Sequence, residues 1–345
     1  MIPLIDTHSH LLNLQNFPER IIFKRMNIDK GYIEPLIEAL GDNRSLLKIA
    51  EKALDIFGNK YRLVQTLELF DSNFDETVEE AIIDMDKAGI DYAVPLMIDL
   101  DTPFTNNDFP FKLMLKKYRE LDTSRFLPFI GVDPRREDIV DILQKEDFYF
   151  GIKMYPALGF SPNPNDKYNS PETNRRLRQI YELCVYHNIP VVLHCSKGGI
   201  MGDVLKESTA HYLSSPERIF DVCYEYPHLK VVLAHGGGED SFMGFYNEGK
   251  DGWTKTINMY QKERPNLGID LSCHRAAVFF PEKFFNAVRS CLEDPFASTN
   301  IYFGSDWAIH NIEYSRYKLV KRFVDNLVPN NWKFLKQNNC NLLGF

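Results

Sequence analysis

Residues 190–195 read PVVLHC and residues 230–235 read KVVLAH. Each is a short aliphatic run that closes on a histidine. A run that is apolar throughout, without alternation, is what a strand buried on both faces looks like, and such strands are usually parallel. Similar runs lie on either side. Upstream are 149–156 (YFGIKMYP), 126–133 (FLPFIGVD), 91–98 (DYAVPLMI) and 3–6 (PLID); downstream are 266–272 (NLGIDLS) and 301–306 (IYFGSD). Helical spacing fills the intervals, at 75–87, 135–144, 172–187, 216–226, 281–292 and 313–326. Eight runs alternating with helical stretches predict an α/β protein, a (β/α)₈ TIM-type barrel.

Local signals agree with that reading. Ser170-Pro171-Glu172 offers an N-cap, a proline at the first helical position and an acid, and Ser215-Pro216-Glu217 repeats the device. The stretches 188–190 and 226–227 carry prolines where helices must stop before strands. One segment exceeds the minimal repeat. Residues 11–74, with helical periodicity near 45–57, leave the C-terminal end of the first strand, above the barrel mouth. They predict a helical insertion, read as a lid or substrate-shaping subdomain within a single 1–345 domain, with a structural or oligomer-forming insertion as the alternative. A second long connection, 236–265, is rich in glycine and aromatic residues.

The whole chain limits the function classes. It has 345 residues, 44% hydrophobic and 26% charged, with a net charge of −8. That is the profile of a soluble globular protein large enough to bury a sizeable core. There is no lysine/arginine tract, which argues against nucleic acid. No apolar run approaches the roughly 20 residues of a membrane span. The opening MIPLIDTHSH has neither a basic region nor an apolar stretch of leader length. The six cysteines form no C-x-x-C pair and suggest reduced thiols. Together these predict a cytoplasmic protein.

In such a barrel the chemistry sits where strands end. Strand one ends in Asp6-Thr7-His8-Ser9-His10, strand four in Lys153-Met154-Tyr155, strand five in His194, strand six in His235 and strand eight in Asp306. Period two places His8 and His10 on one face, where both imidazoles can reach one ion about 2 Å away. His194 adds a third nitrogen and Asp306 an oxygen. This mixed N/O set suits zinc, with manganese, iron or cobalt as alternatives. Taken singly, an H-x-H or a strand-end histidine is more often a hydrogen-bonded core residue. Taken together on one rim, so many buried polar groups, each costing about 1–3 kcal/mol if unsatisfied, point to a metal centre.

These pieces also match a known family. IDTHSH, GIKMYP, VVLHC, VVLAHGG and YFGSDW occur in order over nearly the whole chain, and KFLKQNNCNLLGF looks like a terminal helix of the same group. The chain resembles the amidohydrolase superfamily, and more closely its amidohydrolase-2 branch. The resemblance implies that His8, His10 and His194 are metal ligands. It implies that Asp306 is a ligand that also takes a proton from the attacking water. His235 would be a second-metal ligand or a catalytic acid/base. GIKMYPA is similar to the strand-four segment of dihydroorotases, where a carboxylated lysine bridges two metals. Lys153 is therefore either such a bridge or a free amine that binds a substrate carboxylate or pairs with an acid. A homodimer would suit the branch.

The implied activity is a metal-dependent hydrolase that uses metal-activated water on an amide, lactone or ester. The same apparatus serves non-oxidative decarboxylases or hydratases of carboxylated aromatic or muconate-like compounds. A non-catalytic metal-binding protein is a third reading, against which the full ligand set argues. Side chains that follow the strand ends are substrate-binding candidates: Lys153, Tyr155, Phe160, Ser196, Lys197, His274, Arg275, Trp307 and His310. Three of them are cations, Lys153, Lys197 and Arg275. They suggest an anionic, carboxylated small molecule, which arginine can grip bidentately. His187, His211 and His228 fall away from the rim and read as structural.

Overall fold

The structure is a computed structural model that describes residues 2–11, 73–103, 111–201, 205–310 and 314–345. Most of the 11–74 insertion, including its periodic 45–57 stretch, lies outside the described residues.

All eight predicted strands form: β1 (Ile5–Ser9), which runs three residues past its predicted end, and seven that are shorter than their apolar runs, β2 (Tyr92–Pro95), β3 (Phe129–Val132), β4 (Gly151–Met154), β5 (Val191–His194), β6 (Val231–Ala234), β7 (Leu267–Asp270) and β8 (Ile301–Tyr302). Every pairing is parallel. β3 to β8 form one continuous sheet in chain order, and β1 pairs with β2. Single bridges join these pieces into a ring. Ala93 with Phe126 and Leu96 with Phe129 connect β2 to β3, and Ser9 with Trp307 connects the end of β1 to the chain beyond β8. The last seam is reinforced by Thr7 N–H donating to Phe303 O (3.1 Å) and Asp306 N–H to His8 O (2.8 Å). The fold is a (β/α)₈ barrel.

Strand periodicity explains the barrel's contents. Ile152, Met154, Val191, Leu193, Val231, Leu233, Leu267 and Ile269 join the large core between strands and helices. Their neighbours point the other way. Ile5, Val94, Leu96, Phe129, Val192, Val232 and Tyr302 make a separate apolar cluster inside the ring. On that same inner face, Lys153 precedes Met154, His194 follows Leu193, and Asp270 follows Ile269. The strands thus carry an apolar plug and then, toward their C-terminal ends, the polar residues of the site.

Each predicted helical stretch has a helix in the layer, and the structure adds others that the spacing does not predict. α1 (Phe74–Ala88) is capped by Asn73, whose side chain accepts from the Asp75 and Glu76 amides while Glu76 reaches back to the Asn73 amide. It stops at Gly89 in the left-handed conformation. α2 (Phe111–Arg119) and α3 (Ile139–Lys145) follow β2 and β3. α3 starts four residues later than the spacing predicts. Arg135 and Arg136 are instead drawn into ion pairs with Asp133 and Asp99, which hold 134–138 as a turn.

α4 (Pro171–Tyr186) begins on the predicted Ser170 cap, which accepts from Thr173 N. α5 (Glu207–Leu213) and α6 (Glu217–Glu225) cover β5 and β6. Here the second predicted cap fails. Ser215 N–H bonds back to Tyr212 O as part of the turn ending α5, and α6 begins after Pro216 without a side-chain cap.

The 236–265 connection holds two helices, α7 (Glu239–Glu248) and α8 (Trp253–Glu263). Among the described residues, α9 (Ala276–Phe279), α10 (Pro281–Glu293), α11 (Arg316–Asn326) and α12 (Pro329–Leu343) complete the layer. α12 closes the β1–β8 seam. Asn339 Nδ2 donates to Ile5 O (2.6 Å) and Phe303 O (3.1 Å), while its Oδ1 accepts from Phe303 N–H (3.0 Å). Among the described residues no helix is long and apolar enough to cross a membrane.

Candidate metal centre

The strand ends bring His8, His10, Lys153, His194, His235 and Asp306 together, all buried. A cavity opens onto them. His10, Lys153, Tyr155, His194, His235 and Asp306 line it together with Cys273 and the 198–200 loop. β8 lies close against β1 because residue 304 is glycine: a Cβ there would come 2.6 Å from His8 Cβ. Three non-glycine residues with left-handed φ border the site, namely His235 (66°), Cys273 (61°) and Asp306 (57°). Each follows the end of a strand, β6, β7 or β8, where the chain turns sharply to aim a side chain inward.

Hydrogen-bond bookkeeping fixes which ring nitrogens are bare. His8 Nδ1 lies 2.8 Å from Asp270 Oδ2, and His10 Nδ1 lies 2.8 Å from the Leu96 carbonyl. Carboxylate and carbonyl oxygens only accept, so both Nδ1 atoms carry the hydrogen and both Nε2 atoms present lone pairs. Those lone pairs face an acceptor, Asp306 Oδ1, at 3.7 Å from His8 and 3.4 Å from His10. His8 Nε2 and Asp306 Oδ1 are buried with no hydrogen-bond partner.

The other pair behaves alike. His194 Nε2 donates to Gly198 O (2.8 Å), which leaves Nδ1 bare. Ser272 Oγ sits in a very short contact with Asp270 Oδ1, so its hydrogen lies there, and it accepts from His235 Nδ1 (2.9 Å). His235 Nε2 is then bare as well, 3.2 Å from His194 Nδ1. The lone pairs of His8 and His10 converge on an ionised carboxylate with no hydrogen between them. A cation satisfies that arrangement; a hydrogen-bonded core does not.

Electrostatics point the same way. Burial pushes the His10 and His235 imidazoles below their ordinary value, well below for His235, which favours neutral rings. Burial alone would raise the Asp306 carboxyl, but the neighbouring His10, His8 and His235 hold it well below the usual carboxylate range. Neutral imidazoles beside an ionised carboxylate are the protonation state that a divalent ion binds.

Among the described residues, His8, His10 and Asp306 place ligand atoms within 4.8 Å of one another. His8, His235 and Asp270 do so too, but that second set is the hydrogen-bonded cluster around Ser272. His194 belongs to neither set; its Nδ1 faces His235 across the cavity wall.

Asp270 and Ser272 were not among the residues singled out by the sequence. The signal was present, since Asp270 closes β7 just as His194 closes β5. Asp270 works through its neighbours. It fixes the tautomer of His8 directly and that of His235 through Ser272, as carboxylates behind metal-binding histidines do. Tyr155 plays a comparable part for His194. Its ring stacks on the imidazole at 4.1 Å, and its hydroxyl accepts from Ile200 N–H (3.0 Å). The loop can close this far because residue 199 is glycine at φ 108°: a Cβ would meet the Tyr155 hydroxyl at 2.2 Å.

Of the other candidates, Ser196 also lines the cavity, and the rest lie elsewhere. Lys197 is exposed, 5.9 Å above the Trp253 ring, and Arg275 is exposed, 5.8 Å from the Phe279 ring. His274 is buried between Phe242 and Phe284, where burial pushes it down to about 4. Trp307 is buried beneath the Arg316 guanidinium (4.8 Å), and Phe160 belongs to the core. His310 Nε2 approaches Cys273 Sγ (3.1 Å). Of the three cations expected at the mouth, Lys153 alone lines the described cavity.

Comparison with known proteins agrees with this architecture. No curated protein matches the chain. Similar solved structures include a probable 2-pyrone-4,6-dicarboxylic acid hydrolase from Acinetobacter baumannii with citric acid bound. It is 17% identical, has a TM-score of 0.54, and the match covers 78% of this chain and 89% of that one. Another is a dihydroxybenzoic acid decarboxylase from Polaromonas sp. JS666 with bound manganese and the inhibitor 2-nitroresorcinol. It is 14% identical, with a TM-score of 0.54 and coverage of 100% and 97%. At such identities the likeness speaks for the fold. The family model described as amidohydrolase (Amidohydro_2) matches residues 5–325, nearly the whole chain. The chain thus belongs to the amidohydrolase family and is an enzyme.

Proposed function

We propose that this enzyme is a metal-dependent hydrolase acting on an amide, lactone or ester of a small carboxylated molecule. His8, His10, His194 and Asp306 would hold a zinc-class ion. The observation that carries this reading is the convergence of His8 Nε2 and His10 Nε2 on Asp306 Oδ1, with no hydrogen available between them. When bound, such an ion polarises an acyl oxygen and makes water acidic enough to attack near neutral pH.

The chain's own residues supply the rest. Asp306 accepts the proton of the attacking water, and its neighbours keep it ionised for that task. His235, neutral through burial, lines the cavity where a carbonyl or leaving group would lie. The decarboxylase or hydratase reading is kept alive by the likeness to the manganese-bound decarboxylase.

A panel of carboxylated lactones, esters and amides separates the two readings. A hydrolase releases one equivalent of acid per acyl bond cleaved. Carbon dioxide released from a dihydroxybenzoate, with no acid from any acyl substrate, would refute hydrolysis.

Lys153 is the group we assign to the substrate carboxylate. Its Nζ is buried in the cavity wall without a hydrogen-bond partner, and burial pushes it down to about 8 against the pull of Asp270 and Asp306. A hydrogen bond to a charged group contributes about 1.5–3 kcal/mol, so Lys153→Met should raise KM about 10- to 150-fold at unchanged metal content. If that variant instead loses metal, Lys153 is a carboxylated ligand and not a substrate grip.

A further inference from the structure

One more donor faces the cavity. Cys273 follows β7 in a left-handed turn and lines the cavity wall half-buried, whereas the other five cysteines are buried. Burial pushes those five thiols up, and Cys184, Cys195, Cys223 and Cys291 pack within the core. The Cys273 sulfur, an imidazole nitrogen of His235 and a carboxylate oxygen of Asp306 lie within 4.8 Å of one another.

Two independent observations point this cluster at a ligand. Asp306 Oδ1 is buried with no hydrogen-bond partner, and His235 Nε2 presents a lone pair because its Nδ1 donates to Ser272. His310 Nε2, 3.1 Å from the sulfur, holds the thiol in place.

We propose that Cys273 is a metal ligand: His235, Cys273 and Asp306 form a sulfur-containing cation position that adjoins the His8–His10–Asp306 set and shares its carboxylate. This rests on the metal-dependent reading above. Ligation breaks the S–H bond, forms a sulfur–metal bond and releases the proton to solvent, since the thiolate is the binding form. A thiolate is a soft donor. It favours zinc and cobalt, and it disfavours manganese and magnesium, which take oxygen ligands. A tetrahedral ion bound at about 2.3 Å to sulfur and 2.0–2.1 Å to imidazole fits among atoms that lie within 4.8 Å of one another.

The test is an anaerobic titration of the chelator-treated full chain with Co²⁺, followed by absorbance. A thiolate-to-cobalt charge-transfer band in the near-ultraviolet should grow to saturation. It should vanish when Zn²⁺ displaces the cobalt, persist against an equal concentration of Mn²⁺, and be absent in Cys273→Ser. The wild-type spectrum is the primary readout, so the test does not depend on how the variant folds. Cobalt bound with visible absorption but no near-ultraviolet band would overturn the role of Cys273 and leave the histidine–aspartate reading standing. A band retained in Cys273→Ser would likewise overturn it. Failure to bind cobalt at all would overturn both.

Discussion

Asp306→Asn should lower kcat/KM by about 10²–10⁴-fold from the loss of a proton acceptor alone. His8→Ala should lose both the metal and the activity. The two variants differ for a structural reason. Asparagine keeps an oxygen where Asp306 Oδ1 faces the two bare Nε2 atoms, so a weakened site survives. Alanine at position 8 removes a ligand outright. It also strands Asp270, whose Oδ2 accepts from His8 Nδ1 at 2.8 Å. Metal per chain, measured on protein purified without chelator, checks the pair. His8→Ala protein with full metal content and full activity would show that the lone-pair cluster is a structural core and not a metal centre.

The second large effect is on stability. Arg316 on α11 is buried with its Nε 3.4 Å from Asp6 and 3.8 Å from Asp84, and its guanidinium covers Trp307. Asp6 in turn accepts from Ser305 N–H (2.8 Å) and His8 N–H (3.3 Å), so this pair lies directly beneath the site. Burial pushes the arginine below its ordinary value, against the pull of both carboxylates, which marks it as a costly charge to keep.

Breaking one half of such a pair leaves an uncompensated buried charge, at about 3–5 kcal/mol. Arg316→Met should therefore destabilise the fold by that amount in equilibrium urea unfolding. Adding Asp6→Asn should recover part of the loss, because the orphaned carboxylate goes with it. A change below about 0.5 kcal/mol, the size expected of an ordinary surface substitution, would mean that solvent reaches the pair and screens it.

Much of the architecture was legible from local chemistry. Buried parallel strands have to be apolar on both faces, so runs such as PVVLHC and KVVLAH announce themselves. A polar residue ending such a run stands out for the same reason. His8, His10, His194, His235, Lys153 and Asp306 were accordingly visible as one rim. Helix ends were legible where a single side chain decides them, as at Ser170. They were not where a neighbouring turn competes, as at Ser215, or where carboxylates outside the helix capture the chain, as Asp133 and Asp99 do at Arg135 and Arg136.

The strand count, the parallel order and the residues that end the strands follow from local sequence, because burial and period two act within a few residues. What those residues do follows from how the closed barrel brings them together. Asp270 and Ser272 gained roles because ring closure brings β7 within one strand of β1, although His8 and Asp270 are 262 residues apart. Lys197, His274, Arg275 and Trp307 follow strand ends just as Tyr155 does, yet they turn toward Trp253, Phe242, Phe279 and Arg316 instead of the cavity. Which ring nitrogen is bare, and so able to bind an ion, depends on partners such as Leu96 O and Gly198 O that only the closed barrel supplies. Hydrogen bonds are satisfied in space, and spacing along the chain does not encode them.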